Sequence, residues 1–575
     1  MNSPALTRAR WRRVLAVLGL CAIGAAACGG SDGGGGQSSD TTAQSGAVEQ
    51  TTVPAEEELP VQEGGTLRYG LEADTSTPWT PQNSVCAISC HMIMRTVFDP
   101  LALYDEDGHV KPYLADSITS NDDFTEWTIT PRAGVTFHDG TPFDAEAICI
   151  NLTGHLSSIL TGAALADVAD GADGPGPHVS DDGSACIVPM VRPWSHFPVY
   201  LTGQIGYMAS PTWLAAVAAD PTKAAQPVGT GPFVFESYTP GNGGVFAATK
   251  NPNYWRASEG LPHLDRVEMR VFVDVQSRVN ALLDNEVDMI HLSNGEFIAD
   301  LRSNDSINMF ETDTYGETNY LLLNNRDPEL QDDRVRRALA LATDNESLSR
   351  DRSAGVDPVA NGPFSPTQIG YLEDTGYPTF NLDEASQLVS EYEADCGCDL
   401  TIQFDTTNDP YNVDTNNLIA ANWEAAGITV NINEVEQGQF ILNALQGNFQ
   451  VFGWRNHGGV DPDGQNVWWN SENGDLAVHP LALNFGGIDD PDIDAQLAII
   501  RESNDDAERQ AAAEEINRIF GEKVYNIWTT WTVWGLAFQP TVHGINDFTF
   551  PDGGATIPGA GIAGTHQIVQ MWIEH

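Results

Sequence analysis

The chain predicts an α/β fold built on largely parallel or mixed sheets, and two patterns carry that prediction. Short apolar or alternating runs read as strands: TLRYGL (66–71), VEMRVFV (267–273), YLLLN (320–324) and ITVNINE (428–434). Between them lie segments with apolar residues at helical spacing, as at Val279, Leu282 and Leu283 within 276–286, and Val335, Leu339 and Ala342 after Asp332-Asp333. Strands alternating with helices give layered sheets flanked by helices. No tandem repeat interrupts the pattern.

Taken in order, EWTIT (126–130) alternates as a strand, Pro131–Gly134 turns, and Thr136-Phe137-His138 leads into the turn at Asp139-Gly140. Asp144 then caps a helix through Ala145–Ala147. A further short strand is expected at Val287–Ile290. Helices are expected at Asp383–Tyr392, Asn416–Ala426 and Phe440–Leu445, a strand at Phe449–Gly453, and one long helix over Ile493–Val524. Residues 161–184 read as a surface excursion, 361–366 (NGPFSP) as a rigid turn, and 454–474 as a long loop. Three tryptophans in that loop argue against disorder, and long ordered loops are usually functional.

Composition narrows the function. The 575 residues carry 80 Asp+Glu against 27 Lys+Arg, a formal net charge of −53. A nucleic acid would be repelled, and no basic stripe exists. The only lysines are Lys111, Lys223, Lys250 and Lys523; none follows a glycine, so a Walker A loop is excluded. At 41% hydrophobic residues, the chain can bury a large core.

The N-terminus reads as an export signal. Arg8, Arg10, Arg12 and Arg13 precede fourteen small or apolar residues (14–27), too few to span a ~30 Å bilayer core. Ala25-Ala26-Ala27-Cys28 resembles a bacterial lipobox, with Ala25 where Leu, Val or Ile is usual. That resemblance implies lipidation of Cys28; ordinary signal cleavage is the alternative. Residues 28–62 then form the lipidated cysteine and a flexible Gly/Ser/Thr/acid tether with a reach of about 30 Å. Removing 1–27 takes four arginines and no acid, leaving −57. The G-x-S-x-G match at Gly29–Gly33 lies in this tether, outside any strand–turn–helix, so it is no hydrolase elbow.

Six cysteines remain, which suits disulfides in an exported protein: Cys86 with Cys90, Cys149 with Cys186, Cys396 with Cys398 is the expected pairing among fifteen possible. Zinc is disfavoured, because no paired C-x2-C sets have histidine nearby.

The order of motifs resembles the extracellular solute-binding proteins of the peptide/opine/nickel class, family 5, which feed bacterial ABC importers. The match starts at Gly64-Gly65-Thr66-Leu67. It continues through 97–119, the run WTITPRAGVTFHDGTPFDAEAI (127–148), PVGTGPFVF (227–235), NPNYW (251–255), 264–290, 320–344 and WEAAGITVNI (423–432). The resemblance implies a two-lobe type II periplasmic-binding-protein fold with an extra subdomain in lobe I. Lobe I would comprise 63–317 (the subdomain about 96–226) and 535–575, and lobe II 318–534. It further implies a lipid-anchored monomer on the outer face of the cytoplasmic membrane, at the cell surface or in the periplasm. Its partners would be permease subunits with ATPases. No cofactor, metal or catalysis is implied. A secreted hydrolase would need a nucleophile and base at an element junction, and none is visible.

In peptide-binding relatives an Asp three residues after a Gly-Trp pair holds the ligand's ammonium. Here the pair is Gly453-Trp454 and the third residue is His457. The nearest carboxylates are Asp461 and Asp463; an inserted residue could shift the register and let Asp461 do the job, or the ligand is not a free-N-terminus peptide. Candidate ligand contacts are therefore Trp454, Asn456, His457, Asp461, Asp463 and Trp468, with Thr75 and Ser76 after the first strand. A short peptide is the default solute, an oligosaccharide or glycoside the alternative on the count of 14 tryptophans, and a nickel chelate the third. Trp528, Trp531 and Trp534 line the hinge or the cleft, or else pack in the core. His138-Asp139-Gly140, Gly229–Pro232 and Asn253–Trp255 are read as structural. Pro462 and the missing sixth-position glycine argue against calcium in 461–472.

Overall fold

A computed structural model describes residues 59–575 except 75–78, 85, 87, 159–160, 409, 457–458, 479–480 and 559–565. The leader, Cys28, the tether, Thr75, Ser76 and His457 lie outside the described residues. No described helix is long and apolar enough to cross a membrane.

Two sheets organise the chain. The first has seven strands in the order Asn308–Thr312, Trp534–Phe538, Met289–Leu292, Thr66–Leu71, Arg266–Val271, Val245–Lys250, Phe233–Tyr238. Thr66–Leu71 runs parallel to both neighbours and the outer strands are antiparallel. The second has five strands in the order Thr429–Val435, Thr401–Thr407, Val451–Asn456, Thr318–Leu323, Asn526–Trp531. Leu321, Leu323, Ile402 and Phe404 pack on helices to one side of it, and Tyr320, Leu322, Phe452 and Trp528 on the other. A sheet covered on both faces explains why YLLL is apolar without alternation.

The chain passes between the sheets at 313–317 and returns at Thr532-Val533. Trp534 thus opens a strand of the first sheet, where the sequence reading had kept it in the second lobe. The passages run side by side: Thr532 N donates to Glu317 O at 2.8 Å, and Asn319 Nδ2 donates to Thr530 and Thr532 Oγ1 at 3.1 Å.

A four-stranded sheet, Ala115–Ser120, Glu126–Pro131, Cys186–Pro189, His178–Val179, forms a third unit around its own core. The signature runs earn their residues here. Asp99 is buried and accepts from Thr230 Oγ1 and Trp255 Nε1 at 3.0 Å and from Tyr254 at 3.2 Å. Burial pushes its carboxyl up to about 6. His138 N donates to Gly229 O at 2.9 Å, and its Nε2 lies 3.0 Å from Gly231 O. A Cβ on Gly229 would stand 2.1 Å from Val97 O, so the backbones meet only because that position is glycine. These runs bind one another.

Most predicted elements appear with shifted ends, such as Val451–Asn456 for 449–453. Two differ in kind. The long helix is two, Pro491–Glu502 and Asp506–Lys523, because Asp505 turns its carboxylate onto the N–H groups of Ala507 and Glu508 and starts a new helix. The excursion at 161–184 is partly interior: Leu165 and Val168 are buried in the third unit's core. The disulfides Cys86–Cys90, Cys149–Cys186 and Cys396–Cys398 are all formed.

Candidate functional site

The strand ends that meet at the two passages define the site. From the first sheet come the end of Thr66–Leu71, the end of Met289–Leu292 and the start of Trp534–Phe538; from the second come Trp454–Asn456 and Thr318. A crevice beyond the carboxyl ends of strands, between two sheets, is where α/β proteins hold ligands.

Arg455 is the central charge. Its Nε donates to Asn319 Oδ1 and its Nη1 to Glu317 Oε2, both at 3.3 Å, and its guanidinium stands 5.4 Å from the Trp534 ring of the other sheet. Arg455 keeps 35% of its side chain exposed while Glu317 keeps 7%. Glu72, at the end of the first strand, is buried; burial raises its carboxyl pKa, with Arg278 and Arg455 pulling the other way. Trp534 stacks on His291 at 4.3 Å. On the opposite face of the second sheet from Arg455, Trp454 stacks on Phe440 at 5.7 Å and meets Phe485 at 5.2 Å, and Trp468 meets Phe485 at 5.6 Å.

The remaining candidates fall as follows. Asn456 is buried opposite Thr318 at the passage. Asp461 and Asp463 are buried and face cations of their own chain. Asp461 Oδ1 accepts from Arg509 Nη2 at 2.6 Å, and Asp463 Oδ1 from Arg501 Nε at 2.9 Å. Their charges neutralise internal arginines, which the reading of Asp461 as a ligand's ammonium anchor and of Asp463 as a ligand contact did not anticipate. Trp469 packs on Phe364 and Phe520 in the core, and the adjacent pair lies on the helical turn Asn466–Trp469 rather than on a strand. Trp528 is core, and Trp79 is fully buried against Tyr238 and Phe246.

Arg455 lies within the stretch read above as the loop 454–474, and the sequence reading missed Glu72 and Glu317. The signal for the buried arginines was available. Arg501 falls on the face set by Ile493, Leu497 and Ile500, and Arg509 on that of Ala513, Ile516 and Phe520. An arginine in an apolar stripe asks for a buried acid.

A short segment of the second unit clasps the passage. Val356 is buried among Leu292, Ile298 and Val533. Asp357 Oδ1 accepts from Val533 N at 3.0 Å, and Pro358 O from Trp531 N at 2.8 Å. Burial pushes the Asp357 carboxyl up to about 6, against the pull of Val533 N, Ser353 and Arg455. A carboxyl whose folded pKa exceeds its unfolded value near 3.8 binds more protons folded, so its charge costs stability above about pH 6 and nothing below about 4. Asp357→Asn keeps the acceptor and drops the charge. Its stability relative to the parent should be higher at pH 8 than at pH 5, by roughly 1.4 kcal/mol. Denaturant midpoints at both pH values measure this; a difference that ignores pH would refute the charge assignment.

Two lobes joined by two adjacent passages, with Arg455, Glu317 and Trp534 at the join, are a bilobal architecture. The family model for "Bacterial extracellular solute-binding proteins, family 5 Middle" matches residues 109–476, and the chain belongs to that family. Among curated relatives, Di/tripeptide-binding protein 2 of Pseudomonas aeruginosa is 28% identical over 303 residues, 52% of this chain and 55% of that one. Glutathione-binding protein GsiB of Salmonella typhimurium is 27% identical over 308 residues, 52% and 56%. The chain thus spans about half the length of these relatives. Among solved structures, DppA from Helicobacter pylori in complex with the peptide STSA superposes with a TM-score of 0.76 at 19% identity, covering 89% of this chain and 99% of that one. AgaA from A. tumefaciens R10 in complex with agropinic acid gives 0.74 at 22%, with 89% and 99% covered. Both share the fold.

Proposed function

We propose that the chain is the substrate-binding lipoprotein of an ABC importer. It captures a small zwitterionic solute, a short peptide, between its lobes and delivers it to a membrane permease. The observation that carries this reading is the Arg455–Glu317 pair at the junction, with one partner exposed and the other buried. An exposed guanidinium takes a carboxylate by charge-assisted hydrogen bonds. The carboxylates of Glu317 and Glu72 lie beside it for a cationic end. The names of the peptide- and glutathione-binding relatives point the same way. Export and lipidation at Cys28 would tether the body near its permease.

The test is a thermal-shift screen of residues 29–575, stripped of carried-over ligand, against di- to tetrapeptides, oligosaccharides and metal chelates. A ligand at ~100 times its Kd stabilises the folded state by about 2.7 kcal/mol. Peptides should shift the parent, and Arg455→Ala should weaken the best of them at least ~10-fold, the scale of one charged hydrogen bond. Sugars shifting the transition with peptides silent would overturn the peptide reading and assign recognition to Trp454 and Trp468.

A further inference from the structure

The three disulfides differ in what they hold together. Cys149 and Cys186 are buried in the core of the extra unit, and Cys90 is buried in that of the first sheet. Cys396 and Cys398 are both exposed, and their bridge spans a single residue, Gly397. It sits on the turn that ends the helix Leu382–Cys396 and leads to the strand Thr401–Thr407. Other contacts already fix that turn. Gly397 takes a left-handed φ of 67°, which glycine adopts without strain, and its N donates to Glu393 O at 2.9 Å. Leu400, which is buried, donates from its N to Glu393 Oε1 at 2.8 Å. A bridge across one residue removes little freedom from the unfolded chain, so stability does not account for it.

The position suits exchange with an outside thiol. Exposed disulfides are the labile ones, because a thiolate must reach a sulfur in order to attack it. Cys398 N donates to Cys396 Sγ at 3.2 Å, and Glu393 O and Cys398 O each lie 3.6 Å from the same sulfur. A Cys396 thiolate would therefore face an N–H donor, and a Cys396 thiol would have acceptors in reach, with the turn unchanged. Glu391, Glu393, Asp395 and Asp399 flank the pair, and Asp395 is matched by Arg334 Nη1 at 2.7 Å. An acidic rim of this kind repels anionic thiols and favours neutral or basic ones. The bridge stands at the end of the second sheet away from the crevice. Phe404 pairs with Val451, and the crevice residues Trp454–Asn456 lie further along the same parallel strands.

We propose that Cys396–Cys398 is a thiol–disulfide exchange site that accepts electrons from a neutral or basic dithiol, a reduced cysteine pair on another polypeptide. One thiolate of the dithiol attacks Cys398 Sγ. The new S–S bond forms as the Cys396–Cys398 bond breaks, and Cys396 leaves as a thiolate toward the Cys398 N–H. The second thiolate of the dithiol then attacks its own partner sulfur in the mixed disulfide and releases Cys398. Two electrons pass from the dithiol to the bridge, and the two protons that the dithiol gives up end on Cys396 and Cys398. The site works apart from solute capture and does not rest on it.

The experiment uses oxidised residues 29–575, the double variant Cys396→Ser with Cys398→Ser, and two peptides that carry a reduced cysteine pair flanked by lysines or by glutamates. The parent should oxidise one equivalent of the lysine peptide, read by alkylation and mass spectrometry, and the double variant none. At low salt the lysine peptide should react at least ~3-fold faster than the glutamate peptide, and high salt should close the gap. Equal rates at low salt would overturn the charge preference. In dithiothreitol buffers of graded ratio, Cys396–Cys398 should be half reduced at a ratio at least ~100-fold less reducing than Cys149–Cys186 requires. The double variant should melt within about 4 °C of the parent. A lysine peptide left reduced by the parent, a bridge that stays closed until Cys149–Cys186 opens, or a larger fall in melting temperature would overturn the proposal and make the bridge a structural staple. Iodoacetamide at pH 7 should react faster with Cys398→Ser, which keeps the Cys396 sulfur beside the N–H of residue 398, than with Cys396→Ser; the reverse order would overturn the assignment of Cys396 as the released sulfur.

Discussion

Arg501→Met is expected to destabilise the protein by about 3–5 kcal/mol, the scale for stranding buried ion partners. Arg501 is 3% exposed on the helix Pro491–Glu502. Its Nη1 donates to Asp167 at 2.5 Å, its Nε to Asp463 at 2.9 Å and its Nη2 to Tyr200 Oη at 3.0 Å, and its plane lies 4.2 Å from the centre of the Trp194 ring. Trp194 Nε1 in turn donates to Asp463 Oδ2 at 2.8 Å. Methionine matches the stem's bulk but leaves Asp463, fully buried, without its cation. Asp167 retains only Arg192, at 2.8 Å. Arg501→Lys should recover part of the loss, because a point charge cannot serve three acceptors in a plane. Urea denaturation measures it. Since Asp167, Trp194 and Tyr200 belong to the extra unit and Asp463 and Arg501 to the second lobe, small-angle scattering should also show a more open particle. A midpoint within experimental error of the parent would mean that the network contributes nothing net.

The second large effect concerns Cys149–Cys186. This bridge ties the helix Ala145–Leu156 to the strand Cys186–Pro189 across 37 residues, with both cysteines in the extra unit's core. Closing a loop of that length in the unfolded chain is worth about 3–4 kcal/mol in the chain-entropy account. Cys149→Ala with Cys186→Ala should therefore cost about that much in denaturant under non-reducing conditions. The bridges Cys86–Cys90 and Cys396–Cys398 close loops of four and two residues, so their removal should cost on the order of 1 kcal/mol. Equal losses from the long and short bridges would contradict the loop-length account.

The strands and most helices were readable because their periodicity is local. TLRYGL and ITVNINE carry their signal within six or seven residues, and Asp144 and Asp332 announce the helices they cap. The break between the two final helices was missed because Ile493 through Phe520 keeps one apolar face through it, while the capping residue Asp505 looks like any surface acid. The site was less legible. Asp461 and Asp463 stand where a ligand anchor could stand, and nothing in the loop reveals that Arg509 and Arg501, some forty residues on, arrive to neutralise them. Pairing across 269 residues, as between Trp194 and Asp463, leaves no local trace. Glu317 and Glu72 went unread for the same reason: their meaning depends on two lobes placing them beside one guanidinium.

The segment around Val356 changes how the two bodies can move. Two covalent strands side by side would act as a strap, free to twist and shear as well as fold. A third contact, in which Val356 sits in the first lobe's core and Asp357 and Pro358 grip the returning strand at Val533 and Trp531, pins that strap along a line. A door hung at three aligned points swings about one axis and does not slide. Any relative motion of the two bodies is then expected to be a rotation about that line, with the lobe rims keeping one facing arrangement.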